Sequence, residues 1–255
     1  MSQDVPYYES DKGLGEYLLF HYGADEDCQP HPFGPTDGLR YPQRCVERLL
    51  DLDSMPHPCR ALDAGCAVGG STFHLARHCE EVVGFDLSER FIQTANQLKN
   101  QGRLGYRFIE EGTLTKEAVA EIPKDIERGR VHFEVADACE FGDRFGSFDV
   151  IFAANLIDRT PNPRAVLEHF VSISRPGTQL IITSPYTWLP EYTSPGSWLG
   201  GYDDGDGPVP TLEGMRRILE PTFELKRTED LPFLIREHKR KFQWSVAQGS
   251  LWKRR

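Results

Sequence analysis

The stretch Arg60-Ala-Leu-Asp-Ala-Gly-Cys-Ala-Val-Gly-Gly-Ser-Thr-Phe-His74, followed by Val82-Val-Gly-Phe-Asp86, decides the fold. Ala61 and Leu62 close a short apolar run that reads as a buried strand. Gly65, Gly69 and Gly70 crowd a tight turn, and Ser71 to Ala76 reads as the first turns of a helix. A second apolar run, Val82 to Phe85, stops at Asp86. Strand, glycine loop, helix and a strand ending in a carboxylate make the opening unit of a doubly wound α/β sheet.

The chemistry of this unit is that of a nucleoside site. Glycine lets backbone approach a ligand closely, because no Cβ intervenes. The helix start offers unpaired N–H groups, and Asp86 at a strand end can accept from both hydroxyls of a ribose. The dinucleotide pattern G-x-G-x-x-G is met only in part, since Ala67 holds its middle position. Asp63, two residues before Gly65, suits a positively charged ligand better than a pyrophosphate. The sulfonium and amino group of S-adenosylmethionine meet that requirement better than a nicotinamide dinucleotide does. Asp137 supplies a third acid, placed to bind an adenine amino group. The alternatives are a structural glycine turn, a NAD(P)-binding oxidoreductase, and a non-catalytic partner subunit that binds the same donor.

The chain has 255 residues, 39% hydrophobic and 27% charged, with a net charge of −10. Such an acidic balance argues against nucleic acid and anionic membrane as partners. Cys28, Cys45, Cys59, Cys66, Cys79 and Cys139 are scattered without a C-x-x-C pair, so no disulfide framework or metal signature is expected. A polar N-terminus and the lack of a long apolar run point to a cytoplasmic protein.

Residues 1–50 are rich in aromatics and broken by prolines, and read as a cap over the strand ends, with helices over Gly13–Phe20 and Arg44–Leu52. Residues 51–255 read as the core of the same single domain. Helices are expected over Ser88–Asn100, Asn162–Ser174 and Thr211–Leu219, the last with Thr211 as N-cap, and a helical stretch around Lys116–Ile122. Strands are expected over Val131–Ala136, Phe148–Asn155, Thr178–Thr183, Phe223–Thr228 and Ser245–Trp252. Asn155 ends the fourth strand, beside the expected methyl position. Residues 184–210 and 230–244 read as substrate loops. In the second, Arg236 follows the apolar run Phe233-Leu-Ile, where a guanidinium fork could grip a carboxylate.

Leu62-Asp-Ala-Gly-Cys-Ala-Val-Gly-Gly70, Asp86, Asp137-Ala138 and the run into Asn155 resemble a Rossmann-like S-adenosylmethionine-dependent methyltransferase. The resemblance implies a seven-stranded sheet in the order 3-2-1-4-5-7-6 with the last strand antiparallel. Other stretches resemble the methyltransferase domain of ovothiol synthase, which N-methylates the ring of 5-thiohistidine (4-mercaptohistidine). These are Tyr7-Tyr-Glu, Glu16-Tyr-Leu-Leu-Phe-His-Tyr-Gly23, Pro32-Phe-Gly-Pro35, Ala153-Ala-Asn-Leu156, Ser184-Pro-Tyr-Thr-Trp-Leu189, Trp198-Leu-Gly-Gly201, Pro232-Phe-Leu-Ile-Arg-Glu-His238 and Gln243-Trp-Ser245.

This resemblance implies a donor site of Asp63, Gly65, Cys66, Ala67, Gly69, Asp86, Leu87, Asp137, Ala138 and Asn155. It implies an acceptor site of Tyr8, His21, Phe33, Tyr186, Trp188, Arg236 and His238. Asn155, Tyr7, Tyr8 and His238 are the candidates for fixing the reacting ring. The acceptor is then a small thiol-histidine, made by a separate iron-dependent sulfoxide synthase, and the chain reads as a freestanding methyltransferase. Another small amine or thiol is the alternative acceptor.

Overall fold

A computed structural model describes residues 6–142 and 144–255. Helices α1 (Asp11–Tyr22), α2 (Asp25–Cys28) and α3 (Tyr41–Leu49) come first. The core then runs β1 (Arg60–Ala64), α4 (Gly70–Leu75), β2 (Glu81–Asp86) and α5 (Glu89–Gln101). A hairpin of β3 (Arg103–Glu111) and β4 (Leu114–Glu121) is inserted before β5 (Val131–Val135). Next come β6 (Phe148–Ala154), α6 (Pro163–Ser172) and β7 (Ser174–Ser184). The short ribbon β8 (Tyr202–Asp203) and β9 (Pro208–Val209) leads to α7 (Thr211–Leu219), and then to β10 (Phe223–His238) and β11 (Lys241–Arg254).

Seven strands form one sheet in the order β10-β11-β7-β6-β1-β2-β5. β5, β2, β1, β6 and β7 pair in parallel, while β11 runs antiparallel to both β7 and β10. Counted along the sheet's own seven strands this is 3-2-1-4-5-7-6, the order the resemblance implies. The parallel strands are buried on both faces, which is why β6 reads as a nearly unbroken apolar run. One face packs on α1, α3, α4 and α5 through residues such as Leu18, Val46, Phe73 and Phe91. The other packs on α6 and α7 through Leu167, Phe170, Met215 and Trp252.

Three readings of the sequence are corrected. The helix expected around Lys116–Ile122 is strand β4, paired throughout with β3. Its Lys, Glu and Ala residues favour a helix in isolation, but Ala120 is buried on the same face as half-buried Ala118, and Gly112 turns the two-residue loop at φ 56°. The expected loop 230–244 is the far half of the β10–β11 hairpin, which continues beyond β7's last pair at Ser184–Gln248 as a two-stranded arm. Thr211 is not the N-cap of α7, which Pro210 precedes; its hydroxyl accepts from Trp188 Nε1 at 2.9 Å instead.

The β3–β4 hairpin packs against both α1 and the β10–β11 arm. The backbone of α1 runs so close to β3 that a Cβ on Gly15 would lie 2.4 Å from the Arg107 carbonyl oxygen. On the arm side, Arg236 ion-pairs with Glu110 and sits 5.0 Å over the Phe108 ring.

Candidate functional site

The glycine loop, the β2 end and the segment after β6 enclose a crevice of about 280 Å³ at the carboxyl ends of the parallel strands. This is where an open α/β sheet places its ligands. Gly65, Ala67, Ser71, Asp86 and Leu87 line one part of it, and Ala136, Asp137 and Ala138 the next. Ala154, Asn155, Leu156, Arg159, Thr160 and Pro161, from the end of β6 and the segment after it, line a further part, with Leu156 packed against Gly65. The cap supplies Tyr8, Tyr17, Phe20, His21, Tyr41 and Pro42, and the arm supplies Ile235.

Asp86 is braced by backbone. Its Oδ2 accepts from the Ala67 N–H at 2.9 Å, and its Oδ1 from the Ser88 N–H at 2.9 Å. Ala67 holds φ 48°, a left-handed conformation rare for a residue with a Cβ, and this aims its N–H at the acid. Burial pushes the Asp86 carboxyl up, and the two N–H groups oppose that shift. A carboxylate has about four lone-pair sites, so each oxygen keeps capacity for a ligand hydroxyl. Asp137 also lines the crevice; its Oδ1 accepts from the Cys139 N–H at 2.7 Å, the local loop-capping role open to an aspartate here.

Asp63 is elsewhere. It lies under the loop, 1% exposed, accepting from the Ser71 and Thr72 hydroxyls at 2.8 and 2.6 Å. Burial, resisted by those hydroxyls, pushes its carboxyl up to about 6. It therefore fastens the start of α4 to β1 and does not face a ligand's positive charge. Cys66 is buried beside it, and Gly69 is the left-handed N-cap of α4 at φ 86°.

His21 links the cap to this loop. Its Nδ1 accepts from the Gly70 N–H at 3.1 Å, so the ring is neutral and its proton sits on Nε2. Burial, aided by His74, pushes its pKa down to about 3. The Tyr22 hydroxyl donates to the Val68 carbonyl at 2.7 Å, fixing α1 to the glycine loop a second time.

Asn155 is held at φ 53° just past β6. Its N–H donates to the Thr183 carbonyl at 2.8 Å. Its side-chain Oδ1 accepts from the buried Tyr41 hydroxyl at 3.0 Å and from the Thr183 hydroxyl at 3.3 Å. Its Nδ2 donates to no side chain or backbone group among the described residues.

Several expected acceptor residues are not brought here. Arg236 is 4% exposed and turned away, donating to the Asp27 carbonyl and pairing with Glu110. Tyr7 donates to Glu16, outside the crevice lining. His238 sits at the arm tip, where its Nδ1 accepts from the Arg240 N–H. Phe33 is 86% exposed and stacks on His31. Tyr186 donates to Gln248, and Trp188 stacks on Trp198. These aromatics brace loops. The sequence reading overlooked Tyr17, Tyr41 and Arg159; the signal for Arg159 was its place four residues beyond Asn155, on the same strand-end loop.

Comparison with known proteins agrees with this geometry. Residues 62–180 match the family described as a methyltransferase domain. Norajmaline N-methyltransferase of Rauvolfia serpentina is 24% identical over 69% of this chain and 54% of its own length. The chain spans 39% and 28% of the length of two other curated relatives. Among solved structures, magnesium protoporphyrin IX methyltransferase of Synechocystis aligns over 96% of both chains at 16% identity and a TM-score of 0.55. The N-methyltransferase NodS of Bradyrhizobium japonicum, solved with S-adenosylhomocysteine, aligns over 94% of this chain and 98% of its own at 15% identity and a TM-score of 0.53. Over residues 62–180 the chain is thus similar to methyltransferase domains, and its fold is the one seen in these solved methyltransferases.

Proposed function

We propose that the chain N-methylates the imidazole ring of 5-thiohistidine, a small acceptor delivered by a separate iron-dependent sulfoxide synthase. The observation that carries this reading is the aromatic lining of the crevice. Asp86 and Asn155 stand on its walls, and Tyr8, Tyr17, Phe20 and His21 cover it from the cap. Aromatic cover of this kind suits a small planar ring. The aromatic stretches quoted above for their resemblance supply most of this cover.

The donor fits these residues. Asp86 would hold the ribose, the Leu87 and Ala136–Ala138 segment the adenine, and Gly65, Ala67 and Ser71 the methionine portion. When bound, S-adenosylmethionine supplies an electrophilic methyl group on sulfur. The protein's share is placement, which can lower such a barrier by roughly 7–11 kcal/mol. The cap rings exclude water that would otherwise solvate the attacking nitrogen. A neutral imidazole is already a competent nucleophile near pH 7, because its unperturbed pKa is about 6.5.

The crevice offers no strong base. Burial, with Tyr192 beside it, pushes the Tyr8 phenol up to about 12, so Tyr8 acts as a hydrogen-bond donor. The Asn155 amide and the His21 Nε2–H are likewise donors. As donors they would pair with the acceptor's thiolate and carboxylate and not with its attacking nitrogen, and the surplus ring proton of the product would leave through the other nitrogen to water.

The test is mass spectrometry of purified protein with S-adenosylmethionine and 5-thiohistidine, beside histidine and free thiols. The expected result is a singly methylated 5-thiohistidine carrying its methyl on ring nitrogen. Turnover of a different amine or thiol, with 5-thiohistidine untouched, overturns the assignment.

A further inference from the structure

The cation that the sequence reading sought at Arg236 is present in the crevice at another position. Arg159 is the only lysine or arginine among the crevice-lining residues, which otherwise carry the acids Asp86 and Asp137. It is held from one side only. Its Nη1 donates to the Asp158 carbonyl at 2.9 Å, to Asp158 Oδ2 at 3.1 Å and to the Thr187 carbonyl at 2.8 Å. Asp158 is itself 1% exposed and anchored, with Oδ1 accepting from the Ser184 hydroxyl and Oδ2 from the Thr187 N–H. The Tyr192 ring lies 5.1 Å from the guanidinium carbon. Nε and Nη2 donate to no residue among the described ones. A guanidinium fixed through one nitrogen and stacked on an aromatic ring presents its remaining edge as a preformed fork. Such a fork matches a carboxylate in a bidentate manner.

We propose that Arg159 grips the carboxylate of the acceptor and so selects amino acids over the corresponding amines. The proposal rests on the reading of a small amino-acid acceptor, and it deepens that reading by naming the residue that recognises it. The glycine loop and Asp86 are the donor's anchors in the proposed function, and Arg159 lines the same crevice from the separate segment after β6, which also carries Asn155. The buried pair of Asp158 and Ser184 explains why the loop holds still enough for the fork to be preformed.

The experiment compares wild type, Arg159→Gln and Arg159→Lys. Calorimetry measures S-adenosylhomocysteine binding, then binding of 5-thiohistidine and of its decarboxylated analogue to that complex; KM is read alongside. Arg159→Gln is expected to weaken 5-thiohistidine binding about 10- to 100-fold, the scale of a charge-assisted pair. The analogue should bind wild type weakly and lose nothing further in the variant. Arg159→Lys, charged but without the fork, should fall between. S-adenosylhomocysteine affinity should stay within twofold, which also shows that the variants fold.

Three results overturn the proposal: equal loss for acid and amine, loss of S-adenosylhomocysteine binding instead, or no preference of the wild type for the acid. Repeating the panel with other amino acids and their amines separates the two claims. If another carboxylated acceptor is methylated and Arg159→Gln selectively loses it, the 5-thiohistidine assignment falls and the role of Arg159 stands.

Discussion

Replacing Asp86 by alanine tests the donor site most directly. Each carboxylate oxygen already accepts one backbone N–H, from Ala67 and from Ser88, and keeps one face for a ribose hydroxyl. Alanine removes both of those acceptors at once. Hydrogen bonds to charged groups contribute about 1.5–3 kcal/mol. Water satisfies the free ribose, so we take that range for the pair together. It corresponds to roughly a 10- to 150-fold weaker Kd. Calorimetric titration with S-adenosylhomocysteine reads this directly.

Thermal melting gives a second measure. A ligand at 100 times its Kd stabilises by about 2.7 kcal/mol. At the same concentration, a variant whose Kd is 100-fold weaker gains only about 0.4 kcal/mol. The ligand-induced rise in melting temperature should therefore nearly vanish. Melting without ligand shows whether loss of the Ala67 and Ser88 contacts has itself unfolded the loop. A folded Asp86→Ala protein that binds S-adenosylhomocysteine within twofold of wild type refutes the assignment of Asp86 to the donor.

Arg236→Leu should lower stability by about 1.5–3 kcal/mol, through loss of the Glu110 pair and the Asp27 contact, and leave the acceptor KM of the folded protein unchanged; a raised KM with unchanged stability would contradict its structural placement. His21 is protonated in the unfolded chain below about 6.5 but in the folded protein only near 3. Its stabilising effect is thus complete above 6.5 and is lost as pH falls toward 3, while Asp63, raised to about 6, changes in the opposite sense from about 3.8 upward to 6. In denaturation measured between pH 4 and 6, stability should therefore rise less, or fall more, with increasing pH in His21→Gln than in wild type, and an unchanged slope would remove His21 from the account. Tyr41→Phe deletes the donor to Asn155 and should reduce kcat about tenfold at a stability cost of about 1 kcal/mol. Combined with Asn155→Ala it should add no further loss of kcat, because Tyr41 acts through Asn155.

Much of the core was legible because its signals are local. The apolar run into Asp86, the Ser88 cap of α5 and the apolar stretch Phe148–Ala154 each report a strand end or helix start without help from distant residues. The β3–β4 hairpin was not legible, because Lys116, Glu117 and Ala118 favour a helix and only the partner strand overrules them. Arg236 illustrates a different limit. An arginine after an apolar run is correctly read as held near the core, but sequence does not say which acid meets it, and Glu110 lies more than a hundred positions away. The same limit applies in reverse to Tyr41, whose contact with Asn155 exists only once the cap has folded onto the sheet.

The β3–β4 insertion carries a consequence out of proportion to its chemistry, since none of its residues lines the crevice. It abuts α1 at Gly15 and clasps the arm at Glu110, so the roof and the side wall share one buttress. A deletion there would slacken both walls together and let water seep in beside the reacting groups. Grafting the crevice residues onto a scaffold lacking this buttress should reproduce the inventory of side chains without reproducing the rate.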